Sequence, residues 1–352
     1  MDSVVDNSLS SVGANLKLSD DVSSEKDIDA TKAQSPKSQN RMQANKSINV
    51  SVLWEHKSFG GTQGVYEHTS VLCNCTMRFS LYLPPQAKEG PVPVVIWLGG
   101  QGNGCDYMIT HCGPQELCAK YGVALAAPDV SPSIGQGIPD SPMERDFGIG
   151  AGFFIDATEE PWAGHYQMFS YVSEEFPKFI ARHFNVDSKK QGLFGHDMGG
   201  HGALVIGLRN PEKFKSLSAF APYCSLSQSP VGKKALEGYL GTVNSENTWR
   251  NYDAVNLIED GHLFPGEILV EQGTDDRYLS SQLKPELFED ACKRQGQEYT
   301  INFREGYDHS SFFIRSFFDL HLEHHVRALS LKKELDEIGL IKNIGDTGDQ
   351  FN

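Results

Sequence analysis

The sequence predicts an α/β fold, a mostly parallel, doubly wound sheet led by antiparallel strands with no cap domain, on three observations. Apolar and polar residues alternate through Val52-Leu53-Trp54, Val65-Tyr66 and Phe79-Ser80-Leu81-Tyr82-Leu83, the period of half-buried strands. Wholly apolar runs follow at Val94-Val95-Ile96-Trp97-Leu98 and Val123-Ala124-Leu125-Ala126-Ala127, as expected of strands covered on both faces. Later, a glycine-rich turn at Gly195–Gly202 separates a short apolar run from a helical stretch, which fits a sheet with crossover helices.

Taken in order, residues 1–48 carry no aromatic residue and are rich in Ser, Asp, Lys, Gln and Asn. Such a segment buries too little apolar surface to offset ordering entropy and is expected to be a disordered polar tail. One domain is expected over 49–330. Gly60-Gly61 marks a turn between the first two strands. The stretch between the two apolar runs has room for a helix, completing a βαβ unit. From His165 to Phe184, Met168, Tyr171, Val172, Phe176, Phe179 and Ile180 fall near one helical face, and a second helix is expected from Phe312 to Val326. Further strands are expected at Gly192-Leu193-Phe194, Ile268-Leu269-Val270 and Tyr299–Phe303. Residues 331–352 read as a short charged tail, and no internal repeat is visible.

Composition narrows the class of function. The 352 residues are 39% hydrophobic, enough for one sizeable core. No run approaches the roughly 18 apolar residues of a membrane span. A net charge of −15 disfavours nucleic acid and anionic membranes, which require a basic face. Seven cysteines without paired metal or redox spacing read as reduced thiols in a cytoplasmic setting. The first residues, Met1-Asp2-Ser3, lack the basic and apolar regions of a secretory signal.

The chemistry concentrates at Leu193-Phe194-Gly195-His196-Asp197-Met198-Gly199-Gly200-His201-Gly202. A strand, a sharp turn and a helix with glycines two before and two after the central residue form a nucleophile elbow, here with Asp197 at the centre. A Gly-rich turn alone could equally cradle phosphate. An α/β-hydrolase also needs an acid and then a histidine, each after a later core strand. Asp276 follows the strand at 268–272, and His309 follows the strand at 299–303. Singly, Asp276 would read as a helix cap and His309 as a structural histidine; the order of the three favours a catalytic set.

With these residues in place, the chain resembles the S-formylglutathione hydrolase, or esterase D, family over roughly residues 54–328. The resemblance rests on Phe59-Gly60-Gly61, Leu81-Tyr82-Leu83-Pro84-Pro85, Asp146-Phe147-Gly148, Gly150-Ala151-Gly152-Phe153, Gly238-Tyr239-Leu240-Gly241-Thr242 and Gly306-Tyr307-Asp308-His309-Ser310, among others. It implies an α/β-hydrolase fold and thioester hydrolysis serving formaldehyde detoxification. It makes His309 the base and Asp276, rather than Asp275, its acid, with Asp197 in the nucleophile's place. Oxyanion donors would be the backbone N–H groups of Met198 and Gln101. The implied partner is a small (thio)ester such as S-formylglutathione; a homodimer is compatible with it, and neither cofactor nor metal is expected.

Where the family has serine, Asp197 brings a fixed charge. It is expected to accept the N–H groups meant for the substrate oxygen and to bias His309 toward protonation. Activity is therefore expected to be weak or redirected, with an inactive binding or regulatory protein as the alternative. Haloalkane dehalogenases and epoxide hydrolases do use an aspartate nucleophile, but they usually place Trp after it and insert a helical cap; here Met198 follows. Other departures lie nearby, at Leu98-Gly99-Gly100-Gln101-Gly102-Asn103-Gly104, at Arg145, a candidate substrate contact, and at Ser311. His196 and His201 with Arg145 could make an anion or metal pocket, yet two ligands do not make a metal site, and structural histidines are the simpler reading. Cys105 reads as a buried or redox-sensitive thiol rather than a substitute nucleophile.

Overall fold

A computed structural model describes residues 50–133, 146–243 and 245–329. The tails expected at 1–48 and 331–352, and Arg145, lie outside the described residues. Three antiparallel strands lead the sheet: β1 (Ser51–Ser58), β2 (Gly61–Ser70) and β3 (Cys75–Leu83). The β1–β2 register closes at Ser58↔Gly61. The two turn residues between them, Phe59 and Gly60, both have positive φ, 46° and 76°, as a two-residue hairpin turn of matching twist requires. The alternation in β1 predicts one buried face, but Ser51–Lys57 are all exposed; β1 is the edge of the sheet and is paired on one side only.

The apolar runs become β4 (Val92–Leu98) and β5 (Ala124–Pro128), with every residue of both buried. Between them lie the short helices α1 (Tyr107–His111) and α2 (Gln115–Tyr121). The sheet order is β1-β2-β3-β5-β4-β6-β7-β8-β9. β3 meets β5 antiparallel, and every pairing beyond β5 is parallel.

The helix expected from His165 to Phe184 starts later and is not uniform. A single turn, Met168–Ser170, widens into a π-type turn at Tyr171–Glu175 before α3 (Phe176–His183). Pro177 is the cause: it has no N–H for the carbonyl of Ser173, and its ring crowds that carbonyl, so the turn must widen. Residues 165–167 are drawn off the helix by side-chain bonds. His165 Nδ1 lies 3.0 Å from the Cys73 carbonyl, and Gln167 Nε2 donates to the carbonyls of Ala157 and Ala163.

β6 (Val186–His196) feeds α4 (Met198–Arg209), which is buried from Met198 to Leu208 and so shows no one-sided stripe. β7 (Ser216–Phe220), a strand that the sequence reading does not predict, is short and interrupted by two serines. Those serines are matched by buried histidines of the last helix: Ser216 Oγ lies 2.6 Å from His325 Nδ1, and Ser218 Oγ 2.8 Å from His321 Nδ1. The chain continues through α5 (Pro230–Leu240), α6 (Ala254–Glu259), β8 (Ile268–Gly273), α7 (Pro285–Gln295) and β9 (Tyr299–Arg304) to α8 (Ser311–Ala328). Parallel pairing puts the loops after β4, β6, β8 and β9 at one edge, where open α/β sheets hold their sites.

Candidate active site

Asp197 stands between the last residue of β6 and the first of α4 with φ 58° and ψ −122°, a conformation that strains any residue with a Cβ. Backbone bonds fix it: its N–H donates to the Phe220 carbonyl, and its carbonyl accepts from His201 N–H, each at 3.0 Å. The flanking glycines are required by close approach. A Cβ on Gly195 would lie 2.3 Å from the Gly199 carbonyl oxygen, and one on Gly199 would lie 2.0 Å from that of Leu98.

The structure brings Asp197, Asp276 and His309 together. His309 precedes α8, and its Nδ1 lies 2.6 Å from Asp276 Oδ2, while its Nε2 lies 3.3 Å from Asp197 Oδ1. Two groups that the sequence reading did not single out orient Asp276: the Tyr278 N–H donates to Oδ1 at 2.8 Å, and Gln272 Nε2 donates to Oδ2 at 3.2 Å. Gln272 has a sequence signal, being with Glu271 one of two polar residues that end an apolar strand. Asp275 is exposed, and its Oδ1 accepts from Thr274 Oγ1 at 3.2 Å. Tyr278 meets the His309 ring edge-on at 5.1 Å, and His196 lies 4.3 Å away between centroids.

Electrostatics follow from this geometry. Burial lowers the affinity of His309 for a proton, but hydrogen bonding to Asp197 and Asp276, with their charges, outweighs it and raises the imidazole to about 9. For both carboxylates, burial favours the neutral form, and the bond to His309 outweighs it, holding each below the usual range. At neutral pH the three groups are a carboxylate, an imidazolium and a carboxylate. His196 is pushed down to about 3 by burial and by the neighbouring His309; His201 is pushed down to about 4 by burial. The His196 ring has no hydrogen-bond partner among the described residues, the His201 ring has the Phe153 backbone beside it, and both are neutral packing groups.

The Gln101 N–H donates to Asp197 Oδ2 at 3.0 Å. Gly100 permits this approach, since a Cβ there would lie 3.1 Å from the same oxygen. Met198 opens α4, and its sulfur accepts from the Phe153 N–H at 3.2 Å. Cys105 is buried beside Asp129, and its thiol is pushed far up by burial and that charge; it is no thiolate nucleophile. No group of three His, Cys, Asp or Glu side chains suited to a metal ion occurs among the described residues, and no described helix is long and apolar enough to cross a membrane.

Comparison with known proteins agrees with the fold. The family model "Esterase" matches residues 70–324. The S-formylglutathione hydrolase of Mus musculus is 44% identical over 276 residues, covering 78% of this chain and 97% of its own. That of Paracoccus denitrificans is 42% identical over 275 residues, covering 78% and 96%. The solved structure of an S-formylglutathione hydrolase from Agrobacterium tumefaciens superposes with a TM-score of 0.77 at 43% identity, covering 79% of this chain and 99% of that one.

Proposed function

The chain belongs to the S-formylglutathione hydrolase family of esterases, and from that premise we propose that it binds glutathione thioesters such as S-formylglutathione in a site where Asp197 replaces the serine nucleophile and restrains turnover. The observation that carries this reading is the Gln101 N–H, donated to Asp197 Oδ2 at 3.0 Å. A donor that would stabilise the oxygen of a tetrahedral intermediate is already satisfied by a carboxylate. Removing one such donor costs about 10²–10³ in rate in a serine hydrolase.

His309 acts in the same direction. With a pKa of about 9, only about one molecule in a hundred holds it neutral and able to serve as base at pH 7. Hydrolysis through Asp197 would require its carboxylate oxygen to attack the thioester carbonyl. The expelled thiolate would take the Nε2 proton of His309, and water would then cleave the mixed anhydride. A carboxylate is a weak nucleophile toward a carbonyl, so this route is slow. The imidazolium is, however, well placed to protonate a leaving thiolate.

Dehalogenase-like or epoxide hydrolase-like chemistry is a second reading, favoured by one feature: Oδ2 is tethered to Gln101 while Oδ1 stays directed toward His309. Against it, the elements between Asp197 and Asp276 are helices and strands of the sheet's own layers.

The test compares the protein, Asp197→Ser and His309→Ala on S-formylglutathione and a small aryl ester. Asp197→Ser is expected to gain at least about 10²-fold in kcat/KM, and His309→Ala to abolish that gain when combined with it. No gain in Asp197→Ser would refute the restraint. For the dehalogenase-like or epoxide hydrolase-like reading, whose alkyl ester on Asp197 is cleaved by water at the aspartyl carbonyl, turnover in ¹⁸O water followed by mass spectrometry of the Asp197 peptide should label the carboxylate, and an unlabelled peptide would refute it.

A further inference from the structure

A cavity opens against the loop that carries Gln101. Where β5 ends, Asp129 continues the strand, its N–H donating to the Arg78 carbonyl at 2.9 Å. Between this strand end and the loop after β4 lies a cavity of about 380 Å³, lined by Arg78, Asn103, Asp129, Ser131 and Gly150 among others. Its wall and the Gln101 loop are one hydrogen-bonded unit. Gly102, the residue after Gln101, donates its N–H to the Gly150 carbonyl at 2.8 Å, and the Gly150 N–H donates to Ser131 Oγ at 2.8 Å.

Among the described residues the lining carries one cation, one anion, an amide and hydroxyls. The Arg78 guanidinium is half exposed, and its Nε lies 3.6 Å from Glu67 Oε2, a loose surface pair worth little. Asp129 Oδ1 accepts the Cys105 N–H at 2.8 Å. Even so, burial keeps its carboxyl above the ordinary range, against the opposing effects of Cys105 and Arg78. It is a half-buried carboxylate short of positive charge, and an ammonium group would relieve that deficit.

We propose that this cavity is the subsite for the zwitterionic amino-acid end of the thioester's γ-glutamyl group, with the ammonium against Asp129 and Ser131 and the α-carboxylate against Arg78 and Asn103. The proposal rests on the reading of the substrate as a glutathione thioester. The spans agree. From a thioester carbonyl to the γ-glutamyl α-carbon is about eight bonds, roughly 10 Å extended. From Gln101 to Gly104, whose Cβ position lies 3.8 Å from Asp129 Oδ1, is three residues, at most about 11 Å of chain.

The test is calorimetric titration of the full protein with S-methylglutathione, an unreactive thioether carrying the whole peptide, and with its N-acetylated form, which has no ammonium. S-methylglutathione is expected to bind, and N-acetylation, Arg78→Met and Asp129→Asn each to weaken it by at least about tenfold. In Asp129→Asn, whose amide oxygen still accepts the Cys105 N–H, N-acetylation is expected to have little further effect. A thermal melt matching the parent shows that the variant is folded. If both variants bind S-methylglutathione as the parent does, or if N-acetylation weakens Asp129→Asn by its full factor, the subsite is elsewhere while the substrate reading stands. If the parent itself does not bind S-methylglutathione, the substrate reading fails and the subsite with it.

Discussion

Replacing Asp197 by asparagine keeps the shape of the side chain and removes its charge, which isolates what that charge does to His309. In the parent, two carboxylates work against burial to raise His309 from 6.5 to about 9; the net effect is worth about 3 kcal/mol. With one carboxylate neutralised, the midpoint is expected to fall by about 1–2 units. The neutral, base-competent fraction at pH 7 then rises from about one in a hundred to roughly one in ten or more. The assay is an NMR titration of the His309 imidazole between pH 5 and 10, performed on both proteins. His196 does not interfere, because it is held near 3 and stays neutral throughout. A parent midpoint at or below 6.5, or a midpoint that does not move in Asp197→Asn, would refute the imidazolium clamp and the restraint on turnover built on it.

Two further predictions concern stability. His196, His201, His321 and His325 are buried and their pKa values are depressed by burial first of all. The stability that they contribute is fully present above the unfolded value of 6.5 and is lost as pH falls below it, by about 1.4 kcal/mol per pH unit for each proton taken up on unfolding. Thermal melts should therefore drop steeply between pH 6.5 and 5, and a flat profile would contradict neutral buried imidazoles. Glu271 is fully buried, and its partners are Arg304 and Asn302, with Arg304 Nη2 donating to Oε1 at 2.9 Å and Asn302 Nδ2 at 2.7 Å. Arg304→Met should destabilise by about 3–5 kcal/mol by leaving that charge unpaired, and adding Glu271→Gln should recover most of the loss in denaturant unfolding.

The parts legible in the sequence are those set by local pattern. Apolar runs located β4 and β5, the elbow glycines marked the β6–α4 junction, and the strand-then-acid, strand-then-histidine order pointed to Asp276 and His309. The parts that were not legible depend on partners remote in sequence. β7 escaped because Ser216 and Ser218 break its apolar run, and only the histidines of α8, about a hundred residues on, make those serines suitable for a core. The exposure of β1 follows from its place at the edge of the sheet, which its own alternation does not encode. The π-type turn at Tyr171–Glu175 was half legible, since Pro177 announces a disturbance but not its form. At the site, the Gln101 N–H could be foreseen as the donor taken by Asp197 because an elbow fixes that geometry. Gln272 and Tyr278 could not be placed until the turn after β8 was seen to wrap Asp276.

The same ion network makes function and stability oppose each other at Asp197. The pKa of His309 is raised in the fold, so its contribution to stability is fully present below the unfolded value of 6.5 and is lost as pH rises through about 9. At pH 7 it is worth about 2–3 kcal/mol. Serine at position 197 frees the Gln101 N–H and lets His309 lose its proton near neutrality, as a serine hydrolase requires, but it removes one of the two carboxylates that hold the imidazolium. Asp197→Ser should then be less stable than the parent by about 2 kcal/mol at pH 7, a few degrees in Tm for a domain of this size. The gap should narrow as pH rises past 9, because the parent loses the same stabilisation there. Melts of the two proteins at pH 7 and 9.5 check this. A gap that stays constant across that range would assign the cost to packing at the strained elbow instead of to the charge on His309.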